Sequence, residues 1–191
     1  MYKIVRKEIL TPNITLMEVM APRLALSAQP GQFLIVRVGE NGERIPLTIC
    51  NYNRERGTVT IVTQIVGASS FKICSLNEGD SFTDVVGPLG QPSELIDILP
   101  NKLKEMRFLF IAGGLGTAPV YPQAKFLHER GAYVDIIVGA KTKDMVILEK
   151  EMSAVCNHLY ICTDDGSYGE KGLVTAMVDK LMEGGAVYDQ A

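Results

Sequence analysis

The sequence predicts an antiparallel β-barrel followed by a parallel α/β unit. Three observations lead there. The first hundred residues hold short runs rich in Val, Ile, Thr and Phe, punctuated by Gly, Pro and Asn, the rhythm of an all-β barrel or sandwich. Beyond Pro100, continuous apolar runs alternate with stretches of helical spacing, as in a parallel sheet covered on both faces. Two of those runs end in glycine-rich turns, IAGGLGTAP and TDDGSYGEKG, and α/β sheets hold their ligands at such strand ends.

Six stretches read as strands of the barrel: KIVRKEIL, ITLMEVMA, QFLIVRV, PLTIC, TVTIVTQIV and DSFTDVVG. The turns fall at PGQ, ENGE, RERG and NEGD. MRFLFIAGG is the first buried strand of the second unit, and a helix is predicted from Pro119 to His128. YVDIIVGA and HLYICTDD are further strands, with MVILEKEMSAVC helical by spacing between them. KGLVTAMVDKLMEGG is a helix closing on Gly184–Gly185, and VYDQA opens a fourth strand. The expected domains are residues 1–99 and 100–191, the second incomplete at its C-terminus because its fourth strand only begins. No internal repeat or low-complexity segment interrupts this order.

At 191 residues and 47% hydrophobic content the chain has a real core and is not disordered. A net charge of −3 gives no general attraction to nucleic acid or to an anionic membrane. No apolar run reaches the roughly 18–20 residues that span a bilayer, and MYKIVRKEIL lacks the pattern of a signal peptide, so the expectation is a cytoplasmic protein. Cys50, Cys74, Cys156 and Cys162 show no close metal-ligand spacing and sit among apolar residues as small hydrophobes; no metal site is expected. His128 and His158 belong to no motif and are read as structural, the first on a solvated helix face, the second just before a strand.

The chemistry-bearing stretches are few. In RIPLTI, Arg44 can fork two hydrogen bonds to a phosphate, Pro46 fits a strand start or edge, and Thr48 can donate to a planar ring lying on the strand. QIVGASS ends a strand in Gly67, Ser69 and Ser70, a second candidate phosphate nest. Gly114 and Gly116 give a G-x-G turn between strand and helix, where backbone can approach a pyrophosphate, although Pro119 replaces the third glycine of the dinucleotide fingerprint. TDDGSYG carries acids, hydroxyls and glycines at the end of another strand. Each of these also reads as an ordinary turn or a surface residue.

Taken together, the ordered series R-x-P-L-T-I, G-P-L-G-x-P, G-G-x-G-x-A-P and T-D-D-G-S-x-G resembles the ferredoxin–NADP reductase superfamily. Within it the chain is most similar to the flavin subunits of dihydroorotate dehydrogenase, of sulfide dehydrogenase and of NADH-dependent reduced ferredoxin:NADP oxidoreductase. The likeness runs from Met1 to Ala191.

The resemblance implies an FAD-binding barrel followed by an NAD(P)-binding α/β domain. It implies that Arg44 meets the FAD pyrophosphate and that Pro46, Leu47, Thr48 and Ile49 line the isoalloxazine, with Thr48 the candidate catalytic residue. It implies further that Gly67, Ser69 and Ser70 hold phosphate, that Gly113, Gly114, Gly116 and Thr117 approach the nicotinamide cofactor, and that Asp164, Asp165 and Gly166 lie beside it. Leu47 stands where the wider superfamily has a stacking tyrosine. The family's [2Fe–2S] cluster needs clustered cysteines that this sequence does not offer, so the cluster is not carried over.

The reading is an FAD-containing electron-transfer subunit of an NAD(P)H oxidoreductase, working with a larger subunit and an iron–sulfur relay, with ferredoxin as a further candidate partner. The alternatives are an electron-transfer subunit of dihydroorotate dehydrogenase, a stand-alone flavin reductase, and a cofactor-free regulatory module.

Overall fold

The computed structural model describes residues 2–191. The chain divides into two compact units, one ending at Ser93 and one running from Glu94 to Ala191.

The first unit contains β1 (Tyr2–Thr11), β2 (Ile14–Met20), α1 (Pro22–Ser27), β3 (Phe33–Arg37), β4 (Arg44–Asn53), β5 (Thr58–Gln64), α2 (Ala68–Ser75), β6 (Ser81–Phe82) and β7 (Asp84–Leu89). Its seven strands form one sheet in the order β6-β1-β2-β5-β4-β3-β7, with antiparallel pairing throughout. Only Thr83 separates β6 from β7, yet they lie at opposite ends of the sheet. The sheet must therefore curl until its ends nearly meet, which is the predicted barrel. Thr83 makes the corner: its N–H donates to Arg37 O (2.9 Å) and its hydroxyl accepts from Gly39 N–H (2.8 Å). DSFTDVVG is thus two strands and not the single one that its composition suggests. The inward positions Ile4, Met17, Leu34, Ile49, Ile61 and Phe82 are buried to 1% exposure or less and form the barrel core.

Two helices in this unit are not read from the sequence. Pro22 sits in the first turn of α1, where its missing N–H costs nothing. Arg54 then holds the far end by donating to Leu26 O (3.3 Å) and Ala28 O (3.1 Å). α2 packs on β5 and buries Ile73 and Cys74.

The second unit contains α3 (Pro100–Leu103), β8 (Arg107–Gly113), α4 (Thr117–His128), β9 (Tyr133–Ala140), α5 (Glu149–Ser153), β10 (His158–Thr163), β11 (Glu170–Lys171) and α6 (Val174–Glu183). The sheet order is β11-β10-β9-β8, all parallel. The tail pairs with the free edge of β8: Phe108 bridges Gln190 in parallel, Asp189 N–H donates to Arg107 O (2.8 Å), and Leu109 N–H to Gln190 O (3.0 Å). VYDQA is therefore the beginning of a strand beside β8, on the side away from β9. Strand order reverses at β8, and the crevice at such a reversal is where open α/β sheets bind ligands.

α6 closes as the sequence predicts. Gly185 has φ +84°, Gly185 N–H donates to Met182 O (3.0 Å), and Ala186 N–H to Leu181 O (2.9 Å), the paired bonds of a Schellman cap. The predicted helix over MVILEKEMSAVC shrinks to α5. Leu148 takes a left-handed conformation (φ 57°), and Ile147 and Leu148 are buried (2% and 5% exposed) in the approach to the helix. Their spacing reflects burial of a loop, not a helical face. α4 begins at Thr117, ahead of the predicted Pro119.

His158 opens β10 and does not precede it. Its Nδ1 lies 2.9 Å from the Tyr133 hydroxyl and 3.1 Å from Oδ1 of buried Asp135. Asp135 also accepts from the Tyr188 hydroxyl (2.6 Å), which ties the tail to the sheet. His128 is half-buried, with Nδ1 unpaired, and does not stand on a solvated face. No helix among the described residues is long and apolar enough to cross a membrane.

Candidate functional site

Side chains on a strand alternate between faces, and β4 sorts its RIPLTI residues accordingly. Ile45, Leu47 and Ile49 turn to the barrel core, Ile49 with 1% exposure. Arg44, Pro46 and Thr48 share the other face and are exposed, exposed and half-buried. The four residues expected against one ring are therefore divided: Pro46 and Thr48 can present side chains outward, while Leu47 and Ile49 are committed to packing.

Backbone pairing explains the proline. β4 begins at Arg44, ahead of the predicted PLTIC, so Pro46 is its third residue and not its first. From Arg44 to Thr48 the strand pairs with β3, and β5 joins only from Ile49 onward. Ile49 N–H donates to Gln32 O across β3 (3.1 Å). By antiparallel alternation, residues 45, 47 and 49 bond β3, while positions 44, 46 and 48 aim their N–H at the open side. The donor that Pro46 lacks is one that no strand asks for. The Thr48 N–H faces that same open edge.

Arg44 is already engaged. Its Nη1 pairs with Asp84 Oδ2 on β7 at 2.7 Å, with side chains 52% and 28% exposed. Asp84 was not legible as a partner, since only the β4-β3-β7 register brings the two together.

The second nest is the N-terminus of α2, capped by Gly67. The Ser70 hydroxyl accepts from Val66 N–H (2.9 Å) and Gly67 N–H (3.0 Å) and donates to Gly67 O (3.0 Å). Ser70 is thus consumed in building the turn. What remains for an anion is the set of first-turn N–H groups and the Ser69 hydroxyl. Ser69 donates to the Glu43 carboxylate from the β3–β4 loop. A Cβ at Gly67 would meet nothing within 4 Å, so the approach to this turn is open.

In the second unit, Gly113–Thr117 and Asp164–Gly166 stand at the carboxyl ends of β8 and β10, with β9 between them. Gly113 is the tight member: a Cβ there would lie 3.4 Å from Gly139 O. Gly114 has φ +52°, and Cβ atoms at Gly114 or Gly116 would meet nothing within 4 Å. The backbone is bare where a ligand would come closest. Thr117, the first residue of α4, is wholly buried, and its hydroxyl has no partner among the described residues.

The two acids of TDDGSYG differ. Asp165 accepts from Ser167 N–H (2.9 Å) and Ser167 Oγ (2.6 Å), and these hydrogen bonds hold its carboxyl below the usual range. It shapes the loop. Asp164 is exposed and has no side-chain partner among the described residues. Ser167 Oγ also accepts from Lys143 N–H (2.8 Å), and Tyr168 donates to Glu149 (2.7 Å), which raises the Tyr168 pKa. These contacts link the loops after β9 and β10. Ser167, Lys143 and Tyr168 escaped the sequence reading because their roles depend on strand adjacency. Gly166 (φ +76°) makes the turn between the acids and Ser167.

Burial raises the pKa of Cys74, of Cys162, and of Cys156 to about 11, so at neutral pH these thiols stay protonated. Among the described residues, no group of His, Cys, Asp and Glu is placed to hold a metal ion.

A curled antiparallel barrel, followed by a parallel sheet with a glycine turn at its reversal point, is the architecture of a ferredoxin–NADP reductase-like flavoprotein. No family model matches the chain. It is 51% identical over 192 residues to a Clostridium beijerinckii protein described as an uncharacterized protein in adh 3′region, covering 100% of this chain and 65% of that one. It is 40% identical to the Thermotoga maritima dihydroorotate dehydrogenase B (NAD(+)), electron transfer subunit homolog, covering 94% and 61%. To the corresponding electron transfer subunit of Streptococcus pneumoniae it is 33% identical, covering 94% and 68%. A solved structure of NADH-dependent reduced ferredoxin-NADP oxidoreductase superposes with a TM-score of 0.85 at 35% identity, over 95% of this chain and 63% of that one. The chain belongs to the ferredoxin–NADP reductase-like family that includes the dihydroorotate dehydrogenase B electron transfer subunits. It spans 65% and 61% of the lengths of the first two relatives.

The residues fit the cofactors of such a family. The bare turn at Gly114 and Gly116, where a Cβ would meet nothing within 4 Å, suits the close approach of a nucleotide at the strand-order reversal. The open edge at Thr48 and the α2 turn suit a flavin with a diphosphate.

Proposed function

We propose that this chain is the FAD- and NAD(P)H-binding part of an electron-transfer subunit that passes electrons to an iron–sulfur relay and a larger oxidoreductase subunit. The observation that carries the proposal is the 113–117 turn, with bare glycines open to solvent at a strand-order reversal. Bound flavin would supply the chemistry, taking a hydride from a reduced nicotinamide and releasing electrons singly.

The protein's share is binding and orientation. Arg44 and the first turn of α2, from Gly67 through Ser69, would hold the diphosphate, with Ser70 bracing the turn. Thr48 would offer its hydroxyl and N–H along the open edge of β4, and Pro46 would keep that edge free of a competing strand. Gly113, Gly114, Gly116 and Thr117 would admit the nicotinamide cofactor. Asp164 would face it from β10, while Asp165 and Gly166 shape the loop. No acid–base pair is needed.

The reducing cytoplasm suits the four free cysteines. The partner is of the ferredoxin:NADP oxidoreductase kind, supported by the structural likeness at 35% identity. A second reading, a dihydroorotate dehydrogenase subunit, is favoured by the names of the Thermotoga and Streptococcus relatives.

The test is the absorbance spectrum of the purified protein, followed by anaerobic addition of NADH or NADPH. Flavin bands that bleach on addition support the proposal, and a colourless protein that takes up no FAD defeats it. With a partner subunit present, reduction by dihydroorotate selects the second reading, and reduction by ferredoxin the first.

A further inference from the structure

The β3–β4 loop and α2 form the two walls of a cleft of about 390 Å³, lined by Asn41, Gly42, Glu43, Ser69 and Lys72 among others. One wall is electropositive. It offers the first turn of an eight-residue helix, whose unpaired N–H groups and dipole favour an anion. Lys72, one turn further along, pairs with no carboxylate among the described residues. The other wall brings a carboxylate: Glu43 accepts the Ser69 hydroxyl.

Glu43 has no other side-chain partner among the described residues, although its neighbour Arg44 is a cation. Arg44 is turned to Asp84 instead (2.7 Å). The two cationic elements assigned to the diphosphate, Arg44 and the α2 turn, are thus each met by a carboxylate of the chain itself.

We infer that Glu43 is an internal anion plug: it occupies the hydroxyl of the phosphate nest in the flavin-free protein and must swing out when a diphosphate enters. The inference rests on the reading that the α2 turn takes the FAD diphosphate. Displacement needs only rotation of the exposed Glu43 side chain; the loop itself can stay in place, closed tightly at Gly42, where a Cβ would lie 2.0 Å from Val38 O. The plug opposes binding twice. Its hydrogen bond to Ser69 must break, and its charge repels the incoming phosphates. A neutral side chain of the same shape removes the second cost and weakens the first.

The test is titration of flavin-free protein with FAD and, separately, with riboflavin, which lacks phosphate. Glu43→Gln is expected to tighten FAD about 1.5-fold to fivefold, the scale of one exposed charge interaction, and to leave riboflavin unchanged. The gain should shrink as salt is raised, since exposed charges are screened.

Gly67→Val is the control for the site. Its φ of −175° suits any residue and its Cβ would meet open space, so the fold is spared while the approach to the turn is filled. It should weaken FAD at least tenfold. If Glu43→Gln weakens FAD, Glu43 is a ligand for the cofactor's hydroxyls and the plug is overturned. If Gly67→Val weakens FAD and Glu43→Gln changes nothing, the nest stands and the plug falls. If neither substitution moves FAD affinity, the diphosphate does not bind at this turn, and the underlying reading fails with it.

Discussion

Arg44→Ala probes how the barrel grips its flavin, and the structure sets the scale. A guanidinium donating to phosphate contributes about 1.5–3 kcal/mol as a charged hydrogen bond. In this protein the guanidinium must first leave Asp84, a half-exposed pair of the kind worth about 0.2–1 kcal/mol. The net loss of FAD binding on Arg44→Ala is therefore about 0.5–2.8 kcal/mol, a roughly 2- to 110-fold rise in Kd. Asp84→Asn should act in the opposite direction, tightening FAD by up to about fivefold, because the cation is released without cost. The assay is titration of flavin-free protein with FAD, following the quenching of flavin fluorescence, for both single variants and the double variant. In Arg44→Ala, the Asp84 substitution should have no further effect. An FAD affinity within twofold of the parent in Arg44→Ala would refute the assignment. So would an Asp84→Asn variant that weakens FAD as much as Arg44→Ala does, since the pair would then be a structural clamp between β4 and β7.

Gly116→Val should fold normally, as nothing lies within 4 Å of the added Cβ and φ is −60°, yet it should abolish reduction of bound flavin by NAD(P)H while FAD stays in place. Stopped-flow flavin reduction at the parent rate would make the turn merely structural. Gly169→Ala should destabilise the second unit by about 2–4 kcal/mol: φ is +65° and the new Cβ would lie 2.1 Å from Ile161 O, so left-handed strain adds to a backbone clash. Gly166→Ala meets only the flexible Lys171 side chain and should cost about 1–2 kcal/mol; urea unfolding compares them, and equal midpoints would be the contrary result. Cys156, with its thiol pushed up to about 11 by burial and by Asp135, should be only about one part in a thousand thiolate at pH 8. Its alkylation rate should climb about tenfold per pH unit until near pH 11; a plateau by pH 9 would show an ordinary thiol.

The sequence by itself determined the two-part architecture, because the cues are local. Alternating β-branched runs, their glycine turns, and the switch to continuous apolar strands near MRFLFIAGG are written in neighbouring residues. The Gly184–Gly185 helix stop is local for the same reason. The glycine turn at 113–117 and the acid-rich loop at 163–169 could be located for that reason too, although not given their parts. Tertiary structure decided whatever depends on distant segments meeting. DSFTDVVG becomes two strands because barrel closure sends its halves to opposite edges. MVILEKEMSAVC loses most of its helix because Ile147 and Leu148 are buried in a loop. Leu47 and Ile49 leave the candidate site because the pleat of β4 faces them into the core, a consequence of which strands flank it. Pro46 is tolerated inside the strand because β5 stops short of it. Ser70 and Asp165 turn from candidate ligands into braces of their own loops. Arg44, Ser69 and the β9–β10 loops acquire partners in Asp84, Glu43, Lys143 and Glu149 that lie 19 to 40 residues away in the chain. Composition and spacing carry no record of such pairs, since a hydrogen bond or an ion pair is fixed by the register of strands, and register is settled only when the whole sheet closes.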